Sequence, residues 1–175
     1  IKSLELKKGS EILVPANTWI SSAEAVLNNN LKLKFVDVDY THNICVNDLE
    51  KKISKNTSAI IIVHLYGNPA NIDQIFKLKK KFNLKIIEDC AQAHGAEYKG
   101  KKVSTFGDIG IFSFFPSKNL GCYGDGGCVV TNKKKYFLKM KKIANHGGLK
   151  KNKHEKLGRN SKLDNIQAGI LRVKL

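Results

Sequence analysis

Short apolar runs alternate with amphipathic segments along the chain. "EILVP" leads into "NTWISSAEAVLNNN", "LKLKFVDVD" into "VNDLEKKIS", and "TSAIIIVHL" into "NIDQIFKLKKKF", with "LKIIEDC" directly after. In "SAIIIVH" successive residues are apolar whichever way they point, as a central parallel strand requires when helices cover both faces. "IDQIFKLKKKF" places Ile72, Ile75, Phe76 and Leu78 on one helical face, with lysines opposite. The alternation predicts an α/β fold: a doubly wound, mostly parallel sheet with helices on both faces. After Asp89 the pattern changes. "GDIGIFSFF" and "GGCVVT" read as two further strands separated by a glycine-rich turn. "KKYFLKMKKIANH" and "KLDNIQAGILRVKL" read as helices joined by the polar segment "GGLKKNKHEKLGRN". That segment is too polar to pack a core, so it is expected to be exposed or covered by a partner. No internal repeat or linker divides the chain.

With 175 residues, 42% of them hydrophobic, the chain can bury one domain-sized core. The net charge of +16 invites a nucleic-acid reading. Arginine argues against it: of 31 basic residues only Arg159 and Arg172 are arginine, whereas base readout and bidentate phosphate clamps favour that side chain. The lysines also spread over the polar faces of several helices. No nucleic-acid partner is therefore expected. Cys45, Cys90, Cys122 and Cys128 form no CxxC pair and no zinc spacing with the histidines. No metal is expected, and the cysteines read as free thiols in a reducing cytoplasm. No run of about 18 apolar residues suggests a membrane span. The chain opens on Ile1 and stops at "LRVKL" inside an apparent helix, so it reads as truncated at both ends.

The stretch "FSFFPSKNLGCYGDGG" carries the candidate chemistry, because Lys118 stands between an aromatic run and a glycine turn. A lysine beside apolar residues loses solvation, its neutral amine becomes easier to reach, and such an amine can form a Schiff base with a carbonyl compound. The glycines fit neither GxxxxGK[ST] nor GxGxxG, and are expected to let the backbone turn tightly near Lys118. Asp89 ends the strand "LKIIED", where open α/β sheets bind ligands. Gln92 and His94 follow within five residues. Asp89 reads equally well as a loop or helix-cap carboxylate.

The ordered motifs "VPANTW", "FVDVD", "EDCAQAHGA", "GDIGIFSFFPSKNLGCYGDGG", "NHGG" and "GRNSKLDNIQAGILRVKL" resemble the DegT/DnrJ/EryC1/StrS aminotransferases over almost the whole chain. The resemblance implies a fold-type I enzyme using pyridoxal 5'-phosphate. Its reaction would pass an amino group from an amino acid such as glutamate to a nucleotide-diphosphate keto-sugar. By the same resemblance, Lys118 would hold the cofactor and move a proton. Asp89 would pair with the pyridine nitrogen, Gln92 would bond near the ring hydroxyl, and Ser113 would donate to the phosphate. Trp19 would stack on the ring, or is an ordinary core aromatic. Asn160 would reach the phosphate in the neighbouring subunit of a homodimer with shared active sites, or caps a helix starting near Lys162, in competition with Ser161. Residues 1–175 would be the central part of the cofactor-bearing large domain, without the family's N-terminal "GT" segment and C-terminal small domain. Three alternatives stand beside this reading: a sugar dehydratase of the same family, disfavoured by the lysine at position 118, a non-catalytic anion-binding domain, and an inactive fragment.

Overall fold

A computed structural model describes residues 1–175. The strands are β1 (Glu11–Pro15), β2 (Lys32–Val36), β3 (Thr57–Val63), β4 (Lys85–Asp89), β5 (Glu97–Tyr98), β6 (Lys101–Lys102), β7 (Ile109–Ser113) and β8 (Gly127–Val130). The helices are α1 (Ser21–Leu27), α2 (Val46–Lys52), α3 (Ile72–Phe82), α4 (Lys134–Ala144) and α5 (Asn165–Lys174). Six strands form one sheet in the order β2-β1-β3-β4-β7-β8. All its pairings are parallel except β7 with β8. The expected architecture is present. No helix is long and apolar enough to cross a membrane.

The two-residue period of strand side chains divides the core. Ala59, Ile61 and Val63 of β3 join Ile12, Val14, Ile87 and Ile109 on the face covered by α1 and α4, where Val26 and Tyr136 pack. Ile60 and Ile62 join Leu13, Val36 and Ile86 on the other face, against Leu49 of α2 and Ile75 and Leu78 of α3. Each fully buried aliphatic side chain of this kind contributes about 1.5–3 kcal/mol. Sequestration on both faces is why the "AIIIV" run shows no polar alternation.

Helix α3 covers the stretch whose spacing predicted it, with the Asn71 side chain accepting from the Gln74 N–H as its cap. Ile72, Ile75 and Leu78 are buried, and Phe76 is half-buried at the edge of the core. The last helix starts later than "KLDN" suggested, because Asp164 is its cap and accepts from the Gln167 N–H at 2.9 Å. The polar segment between α4 and α5 is exposed from Leu149 to Lys162. It nevertheless folds back on the chain. The Arg159 N–H donates to the Ile143 carbonyl, the Ser161 N–H to the Ala144 carbonyl, and Lys142 pairs with Glu155. Backbone bonds and this one ion pair tie it to the end of α4.

Candidate functional site

The parallel strands place their carboxyl ends along one edge, where an open α/β sheet forms its ligand crevice. Asp89 ends β4, Ser113 ends β7, and Trp19 follows the end of β1 by four residues. Gln92 follows β4 and Lys118 follows β7. Five of the six residues singled out in the sequence therefore stand on this edge, and Gln92 and Lys118 line the same open cleft of about 290 Å³ with Tyr66, Ser117 and Asn119.

Asp89 and Glu88 are neighbours with opposite surroundings, because successive strand residues point to opposite faces. The Asp89 side chain turns toward α1. Its Oδ2 accepts from the Ser22 hydroxyl at 3.2 Å and its Oδ1 from the Ala91 N–H at 3.0 Å. Thr18 lies 3.1 Å from Ser22, hydroxyl to hydroxyl. Glu88 turns toward the opposite face and is fully buried. It accepts from the Ser104 N–H (2.8 Å), the Gly107 N–H and His64 Nε2 (3.2 Å). His64 Nδ1 accepts from the Ala70 N–H at 3.1 Å, so the ring proton resides on Nε2 and points at the carboxylate. His64, Glu88 and Cys90 cluster closely, but the carboxylate and imidazole are already satisfied by hydrogen bonds. The cluster is a brace under the β3 and β4 ends.

Lys118 sits in a turn built by backbone bonds. Its own N–H donates to the Phe115 carbonyl at 2.8 Å, and the Phe114 carbonyl accepts from both the N–H and the thiol of Cys122. The expected tight turn depends on Gly121, where a Cβ would stand 2.4 Å from the Pro116 carbonyl oxygen. Helix α5 buttresses the turn: Gln167 Oε1 accepts from the Tyr123 N–H at 2.7 Å, and Lys174 donates to the Gly121 carbonyl. Lys118 is half-buried. Nearby His94 stacks against Phe112 and Phe114 at 5.2 and 6.0 Å between ring centroids. Both its ring nitrogens are buried without a hydrogen-bond partner. Burial, and then the charge on Lys118, hold the imidazole below its ordinary pKa.

The other residues divide. Gln92 uses its Oε1 to accept from the Tyr66 N–H at 3.3 Å, so its NH₂ is the end left to donate. Ser113 Oγ accepts from the Phe115 N–H at 3.3 Å, which leaves its own O–H to donate outward. Trp19 is 76% exposed, so it is not part of this chain's core. Asn160 is exposed and pairs with Asn145. Its neighbour Arg159 lines a groove with Glu5 and Asn28–Leu31, around the amino ends of β1 and β2. Asn160 itself does not line the Lys118 cleft. Nor does it cap α5, a role Asp164 fills.

Sequence reasoning passed over Tyr66, Ser22 and Gln167. Nothing in "HLYGN" signals that Tyr66 takes a left-handed backbone conformation, φ 59° and ψ 24°. Ser22 and Gln167 become visible only once helices bring them to Asp89 and to the glycine turn.

Comparison with known proteins places residues 1–175 on the model of the DegT/DnrJ/EryC1/StrS aminotransferase family. A UDP-N-acetyl-3-dehydro-α-D-glucosamine 3-aminotransferase of Acidithiobacillus ferrooxidans is 48% identical over 175 residues, spanning 99% of this chain and 47% of the relative. A dTDP-3-amino-3,4,6-trideoxy-α-D-glucose transaminase of Streptomyces venezuelae is 40% identical, covering all of this chain and 46% of its own length. Among solved structures, S. venezuelae DesV, in complex with a ketimine intermediate, superposes with a TM-score of 0.95 at 39% identity. That match covers 99% of this chain and 47% of DesV. The chain spans about half the length of the relatives it matches.

Proposed function

The chain belongs to the DegT/DnrJ/EryC1/StrS aminotransferase family, and from that premise we propose that it carries the cofactor-bearing centre of a pyridoxal-phosphate-dependent sugar-nucleotide aminotransferase. The reaction moves an amino group from an amino acid such as glutamate to the keto carbon of a nucleotide-diphosphate keto-deoxyhexose, giving an amino sugar for polysaccharide or glycoside synthesis. The names of the relatives, which act on UDP- and dTDP-linked sugars, support the substrate class. Residues 1–175 are the central part of the large domain in this reading, and four free thiols accord with a cytoplasmic setting.

The single observation that carries the reading is the meeting of Lys118 and Gln92 in one cleft, at the strand edge that also ends in Asp89. The donor set fits the cofactor: a buried carboxylate, an amine, an amide with a free NH₂ and a serine O–H free to donate. When bound, pyridoxal phosphate supplies an electron-accepting ring that carries the amino group between the two substrates. Lys118 Nζ would hold the group and would move a proton at the substrate carbon. Asp89 would hold the proton on the pyridine nitrogen by charge pairing, and the Ser22 and Ala91 bonds fix the carboxylate's orientation. Gln92 would donate to the ring oxygen, Ser113 would donate to the phosphate, and Trp19 would cover one ring face. Asn160 serves the phosphate of a second copy in a homodimer with shared sites. Asn160 pairs with Asn145 at the end of α4 and does not line the Lys118 cleft of its own chain, which favours that arrangement. Retention of lysine at 118 favours amination over dehydration.

The test is amination itself. The complete gene product, given glutamate and a panel of UDP-, dTDP- and GDP-linked keto-sugars, should convert one class to amino sugar, detected by mass. A dehydrated, unaminated sugar in place of the amine would favour the dehydratase, and no conversion at all would defeat the reading.

A further inference from the structure

We propose that Tyr66 is a substrate-contacting residue that packs against the sugar of the keto-sugar nucleotide; the proposal rests on the function given above and names how its second substrate is gripped. Tyr66 stands in the cleft with Gln92, Ser117, Lys118 and Asn119. Its backbone is left-handed at φ 59°, a conformation that is an outlier for a bulky residue and persists only where the surroundings impose it. Its surroundings on the Gln92 side are close. The Tyr66 N–H donates to Gln92 Oε1 at 3.3 Å. The next residue, Gly67 at φ 83°, lies so close to the Gln92 carbonyl that a Cβ would meet its oxygen at 3.3 Å.

The side chain itself gains little from folding, since it is 67% exposed. Its one aromatic partner is His42, whose ring meets it edge-on at 5.8 Å and 75°. A strained backbone bearing a solvent-facing ring has no evident stabilising purpose, and Gly or Asn would fill the position at lower cost. What it provides is an aromatic face at a cleft whose other walls are an amide, a hydroxyl, a second amide and an amine. A single apolar face among hydrogen-bonding groups matches a sugar, with C–H faces for the ring and hydroxyls for Ser117 and Asn119. The cofactor has its own set of residues, and none of the roles assigned to them falls to the Tyr66 ring.

The test separates the two half-reactions in the complete gene product. Cofactor absorbance, the rate with glutamate and the rate with the keto-sugar that the unsubstituted protein aminates are measured for Tyr66→Gly, Tyr66→Asn and Tyr66→Phe. Tyr66→Gly and Tyr66→Asn should retain cofactor absorbance with Tm at or above that of the unsubstituted protein. They should lose about tenfold more kcat/KM toward the keto-sugar than toward glutamate, the equivalent of one lost contact of about 1.4 kcal/mol. Tyr66→Phe divides the loss between ring and hydroxyl. Equal losses in both half-reactions, a keto-sugar rate within twofold of the original for Tyr66→Gly or Tyr66→Asn, or a fall in their Tm of several degrees would overturn the proposal. Absence of bound cofactor in the unsubstituted protein would instead defeat the aminotransferase reading, and this proposal with it.

Discussion

Replacing Glu88 by glutamine should destabilise the fold by several kcal/mol. Glu88 is fully buried and accepts three hydrogen bonds, from the Ser104 N–H, the Gly107 N–H and His64 Nε2. Glutamine offers one oxygen and one NH₂ in the same space. If its oxygen faces Ser104 and His64, the NH₂ confronts the Gly107 N–H; if reversed, two donors lose their acceptor. His64 cannot compensate by moving its proton, because Nδ1 is occupied by the Ala70 N–H. A buried donor left unsatisfied costs about 1–3 kcal/mol, so one or two of them, with weaker neutral bonds elsewhere, give about 2–4 kcal/mol. Relief of the buried charge offsets part of this, yet the donors stay unpaired. Against a total stability of about 5–15 kcal/mol, the urea midpoint of the complete gene product should fall clearly at unchanged m-value. A change within about 0.5 kcal/mol, the ordinary scale of a surface substitution, would refute the reasoning, because water would then be reaching those donors.

Three further outcomes follow. Burial alone would raise the carboxyl pKa of Asp108, but hydrogen bonds from Lys133 and Lys79 and the Ile86 N–H hold it below its ordinary value. A depressed carboxylate stabilises the fold above the unfolded pKa, near about 3.9, and that contribution is lost as pH falls through the folded value. Asp108→Asn should therefore lower stability at neutral pH and flatten the stability profile below about pH 4, checked by thermal melts across acid pH; an unchanged acid limb would count against the pairing. Asp89→Asn should keep the fold, since an amide oxygen can still accept from the Ala91 N–H, while transamination falls on the order of 100-fold, the scale for loss of one preorganised electrostatic group; near-normal turnover would reduce Asp89 to a loop carboxylate. Mixing inactive Lys118→Ala and Asn160→Ala chains of the complete gene product should restore activity once subunits exchange, and exchange without recovery would remove Asn160 from the partner's site.

The fold was legible where burial imposes a pattern. Lysines opposite Ile72, Ile75 and Leu78 marked α3, and the uninterrupted "AIIIV" marked a strand covered on both faces. The β5–β6 hairpin was not, because two-residue strands show no period; its turn rests on positive φ at Lys99 and Gly100. The start of α5 was misplaced because Asp164, not the earlier polar residues, supplies the cap. The placement of Asp89, Gln92, Ser113 and Lys118 on one edge was legible, because each follows or ends a strand. That of Tyr66 was not, since it depends on a backbone angle unusual for an aromatic. Nor was the support of Asp89 by Ser22, 67 residues away in sequence. The lysine-rich segment before Asn160 showed its exposure in its composition, but its backbone anchorage to α4 has no side-chain signature.

The claim on which the account turns is that Lys118 holds pyridoxal phosphate. Borohydride reduction of the complete gene product purified with the cofactor, followed by proteolysis and mass analysis, should find the reduced pyridoxyl phosphate adduct on the peptide containing Lys118. Lys118→Ala should lose both the adduct and the visible absorbance. An adduct confined to any other lysine, or a Lys118→Ala protein that still fixes the cofactor covalently, would contradict the account.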